Sequence, residues 1–521
     1  SLGGIVIAIG DMVDGSIAMV ENAHARLDQW RRGLRSGTRE SIIIGAMKEI
    51  GPPLFSSLLV LAVSFTPIFT LEAQEGRLFK PLAYTKNLSL FFAAILTITL
   101  VPALMMIFVK GKILSEEQHP VSNFLKRLYL PLVRWAVKKR QLVLGGAIIM
   151  VLLTIPVFMR MGSEFMPPLE EGSIFYMPTT LPGLSVTEAQ KLLQAQDVIL
   201  KSFPEVERVF GKAGRAETST DPAPFSMMET TIILKPHEEW RRKSRWYSRL
   251  PELLQKPLRH IWYDRISWEE LVSEIDSRMR FPGVTNAWTM PIKARIDMLT
   301  TGVRTPIGIK IYGSDLQEIE RIGTELEGLL REVSGTRSVY AERTAGGDFV
   351  DFDLKREQLA RYGLTIKEAN MAIMTAIGGE PITTTIEGRE RYTVSVRYAR
   401  ELRDDLDKLK RVLVPTLSGA HIPLAELADI GLKLGPAMIR NENGLLAGYV
   451  YVDVAGRDIG GYVEEAKKMA ADSLRLPAGY ALQWSGQYEN MARVKERLKI
   501  IIPLTLFLIL FLLHLNTGSW P

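Results

Sequence analysis

The sequence predicts an α-helical membrane bundle joined to a large α+β segment outside the membrane. Three observations carry that prediction. Long apolar runs crowd residues 1–160 and 498–515. Residues 165–495 are charged and punctuated by Pro and Gly. Within that segment the order strand, amphipathic helix, strand recurs in units of roughly 40 residues, the pattern of small sandwiches of split-βαβ, ferredoxin-like type. The whole-chain averages, 47% hydrophobic and 23% charged over 521 residues, conceal this because they mix two unlike populations.

Each span follows from length and charge. Segments 1–20, 51–71, 87–109, 141–161 and 497–515 are long and apolar enough to cross about 30 Å of hydrocarbon. The connection 21–50 carries Arg26, Arg31, Arg32, Arg35, Arg39 and Lys48, and 110–140 is likewise rich in Lys and Arg. The connection 72–86 has only Arg77, Lys80 and Lys86. Positive-inside asymmetry therefore places 21–50 and 110–140 in the cytoplasm, the second as an amphipathic linker. The large segment between the fourth and fifth spans then lies on the outer side. The chain begins and ends beside apolar segments, without initiator methionine or signal peptide, as a piece of a larger membrane protein would.

In the outer segment "GSIFYMPTT" and "VERVFGKAG" read as strands flanking the helical "SVTEAQKLLQAQDVILKSF". The order repeats in "PIGIKIYG", "SDLQEIERIGTELEGLLREV" and "TRSVYAER", and in "AGYVYVDVAG", "GGYVEEAKKMAADSL" and "YALQWSG".

The first span contains an anomaly, "GDMVDGSIAM". At 100° per residue Asp11, Asp14 and Glu21 share one stripe, and Met12 and Met19 share another. A carboxylate at mid-membrane costs about 2.5–3.5 kcal/mol even on a lenient insertion scale, so an acid stripe implies use, as in a proton relay. Other chemistries find no support. Zero cysteines exclude disulfides and thiolate metal sites. No sequence fits a phosphate-cradling P-loop, the six histidines are scattered, and nothing resembles a nucleophile–base constellation, so the chain does not read as an enzyme with a bound cofactor. The net charge of +6 sits mostly in the two basic connections, as topogenic charge and not as a nucleic-acid interface. The basic, aromatic stretch 241–268 reads as a surface or a loop facing lipid headgroups.

The strings "GDMVDGSIAMVENAHARL", "SFTPIFTLEAQEGRLFKPLAYTK", "GSEFMPPLEEGSIFYMPTTLPG", "ETTIILKP" and "KARIDMLTTGVRTPIGIKIYG" resemble the heavy-metal efflux branch of the resistance–nodulation–division (RND) transporters, closest to its copper- and silver-exporting members. The resemblance spans nearly the whole chain except an insertion around 241–266. It implies a partial RND fold running from the fourth to the eighth transmembrane helix of a pump. Its periplasmic part would comprise porter subdomain PC1 (162–302), porter subdomain PC2 (303–375 and 458–496) and a docking subdomain (376–457). It implies a homotrimer in the bacterial inner membrane, working with a periplasmic adaptor and an outer-membrane channel. Asp14 then matches the family's relay aspartate, with Asp11 as an extra relay. Met12 and Met19 match methionines on the intramembrane metal path. Met177, Met227 and Met298 match a periplasmic three-methionine site, with Asp221, Glu229, Arg295 and Arg304 as nearby polar positions. Leu90 and Pro381 stand where further path methionines are expected.

Soft Cu(I) and Ag(I) favour thioether sulfur, which needs no deprotonation, whereas borderline cations favour imidazole and carboxylate. The expectation is a proton-driven exporter of Cu(I) and Ag(I). A Zn, Co or Ni exporter of the same branch, and a membrane-anchored docking module that moves nothing, are the alternatives.

Overall fold

The computed structural model describes all residues except 1, 110–119, 165–169, 215–223, 262–263, 345, 437 and 519–521. It divides into two units, Ser1–Gly162 with Glu489–Pro521, and Ser163–Tyr488.

The first unit is helical: α1 (Leu2–Arg31), α2 (Arg39–Ser64), α3 (Ala73–Phe108), α4 (Pro120–Lys138), α5 (Arg140–Arg160) and most of the terminal helix Gln487–Thr517. Five stretches among the described residues are long and apolar enough to span a membrane. The helices overrun the apolar windows. The connection 21–50 is mostly helix, broken at a turn where Gly33 takes φ +74° and Thr38 caps α2 by accepting from Ser41 N at 3.3 Å. The helices α1, α2 and α3 bury a shared cluster that includes Met19, Ala23, Leu27, Ile43, Ala46 and Met105. Asn22 ties α1 to α2 by donating to the Ala46 carbonyl at 3.0 Å. At Gly4 a Cβ would meet the Leu82 carbonyl oxygen at 2.7 Å, so the close approach of α1 to α3 requires glycine there. On α4 the exposed Phe124, Leu128, Leu132 and Trp135 recur at helical spacing, as on a helix lying along a membrane surface.

The second unit holds two principal sheets. In the first, strands β1 (Ser173–Tyr176), β2 (Val206–Ala213), β3 (Met228–Leu234) and β4 (Trp288–Thr289) lie in the order β2-β3-β1-β4. The helices α6 (Val186–Lys201), α7 (Trp268–Arg278) and α8 (Pro291–Thr301) belong to the same stretch of chain. In the second, β5 (Ile307–Gly313), β6 (Thr336–Ala341), β9 (Leu445–Val454) and β10 (Ala481–Gly486) lie in the order β6-β9-β5-β10, all antiparallel. Its Ile307, Ile309, Ile311, Val450 and Val452 pack against Ile319, Ile322 and Leu326 of α9 (Leu316–Arg331) and against Val463 and Ala466 of α10 (Ile459–Ser473). Two of the three sequence units thus interleave in a single sheet and do not form separate sandwiches.

Between them, β7 (Gly347–Leu354) pairs along its whole length with β8 (Ala428–Gly435). This ladder belongs with a third core that includes Leu359, Leu364, Val412 and Leu424. The ladders group the residues differently from the expected PC2 and docking boundaries. Residues 347–375 go with the middle region, and β9, expected before 457 in the docking subdomain, is instead an inner strand of the second sheet. The physical reason is that β5 lacks a partner on one side until β9 returns. From the middle region projects a hairpin, Glu380–Glu387 with Glu390–Val396, exposed on both faces.

Candidate metal site

Alternation along β1 sets up the site. Ile174 and Tyr176 point into the core of the first sheet, so Phe175 and Met177 face the other way. Tyr176 is locked by stacking on Trp288 at 4.4 Å and by donating to Asn286 Oδ1 at 2.7 Å. Burial pushes its hydroxyl pKa up, so it stays a neutral donor. Met177 N donates to the Ala287 carbonyl at 2.9 Å, and its side chain is fully buried. Met227 precedes β3 and bridges Thr179. Met228, Thr230 and Ile232 fill the inner face of β3, which leaves Met227 and Glu229 on the other.

Met298 rides on α8, and α8 is pinned at both ends. Its N-terminus receives the Glu171 carboxylate, which accepts from Ile292 N at 2.8 Å and Lys293 N at 2.9 Å. Two orphan helix donors are thereby satisfied and the helix dipole is complemented. Its C-terminus closes at Gly302, φ +76°, whose N–H donates to the Met298 carbonyl at 3.0 Å. Ala294 and Met298, four apart on one helix face, then meet the strands. Met177, Ala287 and Ala294 form a buried cluster against which Phe175, Met227 and Met298 pack. The three methionines, 50 and 71 residues apart in sequence, converge.

The polar positions fare differently. Asp221 lies outside the described residues. Glu229 is bound to Lys212 at 2.9 Å. Arg295 is exposed on α8, three residues before Met298. Arg304 is 7% exposed, stacks over the Tyr451 ring at 4.1 Å and donates to Thr179 Oγ1 at 2.5 Å. Among the described residues no group of three or more His, Asp or Glu side chains is placed to hold a metal ion.

In the helical unit Asp11 pairs with Lys86 at 3.3 Å. Lys86 is 3% exposed and sits 3.5 Å from the centroid of the Phe65 ring. Asp14 is on an exposed face of α1. Met12 lines a groove of about 730 Å³ between α1 and α3, together with Glu21 and His24. Met19 lies instead in the buried cluster with Met47 and Met105. Leu90 fills an apolar position against Leu58 and Ala94, and Pro381 is exposed on the hairpin at an irregularity in its register. Sequence reasoning missed Lys86, Met47 and Met105. For Met105 the available signal was a methionine pair inside an apolar run, and Lys86 carried none that set it apart from Arg77 and Lys80 of the same connection.

Comparison with known proteins agrees with this architecture. The profile of the AcrB/AcrD/AcrF family matches residues 1–521. The chain is 40% identical over 520 residues to "Cation efflux system protein CusA" of Escherichia coli (strain K12), covering 99% of this chain and 48% of that protein. It is equally similar to "Putative cation efflux system protein SilA" of Salmonella typhimurium. It is 31% identical over 514 residues to "Cobalt-zinc-cadmium resistance protein CzcA" of Cupriavidus metallidurans. The crystal structure of a heavy metal efflux pump superposes with a TM-score of 0.80 at 25% identity, over 98% of this chain and 48% of that one. The chain therefore spans about half the length of the relatives it matches. It belongs to the AcrB/AcrD/AcrF family of membrane transporters, in the heavy-metal efflux branch of the RND pumps, and has their fold.

Proposed function

We propose that the chain is the central part of a proton-driven exporter of monovalent soft metal ions, Cu(I) and Ag(I), in the bacterial inner membrane. The observation that supports this most is that the half-buried Met227 and Met298 pack against the small apolar cluster that buries Met177. Three neutral sulfurs brought to one apolar patch suit a soft monovalent cation. They offer little to Zn(II), which would lose its hydration for weak donors. The 31% identity to the cobalt–zinc–cadmium protein keeps a divalent exporter as the competing reading.

Proton coupling is assigned to Asp14 on α1, with Asp11 as the adjoining acid. A carboxylate at membrane depth is expensive unless protein covers it, and on a relay face it can exchange protons as the covering helices move. The complete pump is proposed to be a homotrimer working with a periplasmic adaptor and an outer-membrane channel. The hairpin Glu380–Glu387/Glu390–Val396, exposed on both faces, suits that assembly, since an isolated hairpin is marginal in water.

The test replaces all three methionines by isoleucine in the complete protein, which holds apolar volume roughly constant and removes only the donor atoms. The variant is expected to insert normally, yet lose Ag(I) binding and copper tolerance. Undiminished Ag(I) binding would reduce the trio to packing, and a parent protein that prefers Zn(II) would hand the site to the divalent reading. Separately, Asp14→Asn is expected to abolish efflux while leaving metal binding intact. Sustained, uncoupler-sensitive transport by that variant would remove Asp14 from the relay.

A further inference from the structure

Strand β4 closes one edge of the first sheet, and the segment 286–288 that leads into it faces two partners. On one side the Ala287 carbonyl accepts from Met177 N at 2.9 Å. On the other, two side chains of the second sheet stand where a neighbouring strand would. Ser338 Oγ donates to the Asn286 carbonyl at 2.6 Å, and the Asp453 carboxylate accepts the Trp288 N–H. Ser338 on β6 and Asp453 on β9 lie directly opposite each other, so both side chains leave the same face of that sheet. The register slips between Asp453 and Val454, a bulge of the kind that re-aims a side chain. An edge needs its backbone groups met. Here one hydroxyl, which does not titrate, and one carboxylate, which does, meet them.

Asp453 is 2% exposed on the wall of a groove of about 1440 Å³. Two charged groups bear on it, Arg337 of β6 at 3.5 Å and Asp276 of α7. Asp276 Oδ1 is held by Asn286 Nδ2 at 3.0 Å and Trp288 Nε1 at 2.7 Å. Further along the wall Arg457 pairs with Glu465 at 2.6 Å and Asp458 caps α10. Burial outweighs the pull of Arg337 and raises the Asp453 carboxyl to about 6.

We propose that Asp453 is a positioning residue for the methionine site. Its protonated form holds the two sheets together along 286–288, and loss of the proton loosens this seam and the backing of Met177. The part that concerns metal rests on the reading of Met177, Met227 and Met298 given above. The sign follows from linkage. In the closed seam the carboxyl keeps its proton up to about 6, whereas in a seam opened to water it titrates near 3.9. Closing therefore takes up a proton between those values and is favoured by acid. Above that window, closing buries a charge that Arg337 only partly offsets. Thioether sulfur needs no deprotonation, so acid does not compete for the site itself. Metal affinity should then rise with acidity. A site of imidazole or carboxylate would do the opposite, because its ligands must lose protons to bind.

The experiment uses the full-length pump in nitrate buffers, with Ag(I) affinity measured by equilibrium dialysis from about pH 4.5 to about 7.5. In the parent, affinity is expected to weaken about tenfold over the lower half of that range and then level off, a usual size for site-to-site coupling. Asp453→Asn is neutral at every pH and still offers an oxygen to the Trp288 N–H. It should keep the acid-side affinity throughout. Arg337→Met removes the attraction that favours the charged form, so the fall should extend to higher pH. A merely structural role would not move that limb, and this variant decides the matter should the Asn variant fail to insert. Without metal, amide exchange over 284–290, corrected for intrinsic rates, reports the seam itself. Protection is expected to fall over the same window in the parent and to stay level in Asp453→Asn. Level protection in the parent would overturn the proposal. Falling protection with a level Ag(I) affinity would overturn the positioning role. No Ag(I) binding at any pH, with the protection profile as expected, would remove the metal reading and uphold the proton-linked seam.

Discussion

Tyr176, Met177 and Pro178 divide three tasks within one tripeptide. The tyrosine is anchored in the core, the methionine is turned outward by strand alternation, and the proline ends the strand. At the same scale, the Asp11–Lys86 pair in the helical unit makes a sharp prediction. Lys86 is buried and its charge is satisfied by one carboxylate and one ring face. Lys86→Met leaves Asp11 without a counter-charge and is expected to destabilise the helical unit by about 3 kcal/mol. Asp11→Asn/Lys86→Met should recover most of that loss. Denaturant titration of the four proteins in micelles measures it, and a double-variant loss equal to the sum of the two single losses would mean the two side chains act independently. The methionine trio was legible because three unusual strings recur in a known family. Periodicity alone could not bring together residues joined only through sheet pairing. Lys86 was illegible for a related reason. Its partner lies 75 residues earlier, and nothing in a list of connection cations marks the one that turns inward.

Among elements, the basic, aromatic stretch read from sequence as a surface loop proves to be fastened down. Arg241 binds Glu205 at 2.5 Å and Glu274 on α7 at 2.9 Å. Arg245 binds Glu270 on the same helix at 2.8 Å, which holds that carboxyl down at about 2. Glu205 is 0% exposed, so Arg241→Ala strands a buried carboxylate. We expect a loss of about 3–5 kcal/mol from thermal or denaturant unfolding, larger than for Arg242→Ala, whose 70% exposed side chain has a distant partner. Similar small losses for both would show Glu205 to be resolvated. Element identity was largely readable, since the quoted strand and helix strings form strands and helices where periodicity placed them. Element membership was not. Strand β9 reads locally as one more buried strand, and only the need of β5 for a neighbour assigns it to the second sheet.

On the scale of the molecule, one buried acid should set the acid-to-neutral stability profile of the second unit. Burial raises Asp453 to about 6, against the opposing pull of Arg337 at 3.5 Å. An unfolded aspartate titrates near 3.9. Between these values the folded state keeps a proton that the unfolded state has released. The contribution is therefore fully present below about pH 4 and is lost as pH rises through about 6, amounting to about 3 kcal/mol. Unfolding free energies of the parent minus those of Asp453→Asn, measured from pH 4 to 7, should fall over that window. A flat difference would mean that Asp453 has an ordinary carboxyl pKa.

The interleaved second sheet carries a consequence for synthesis. Strand β5 is made early, yet its two neighbours, β9 and β10, emerge more than a hundred residues later. Until the ribosome has passed Gly486, β5 must wait with at least one hydrogen-bonding edge unmet. Pairings of such long sequence separation close slowly, and an open edge invites wrong partners. The intervening β7–β8 region, whose ladder is complete by Gly435, can fold first and draw the two halves of the sheet toward each other. A nascent chain arrested between 454 and 480 should therefore show a protease-resistant middle flanked by labile halves, with the porter sheet appearing all at once when its last strand arrives.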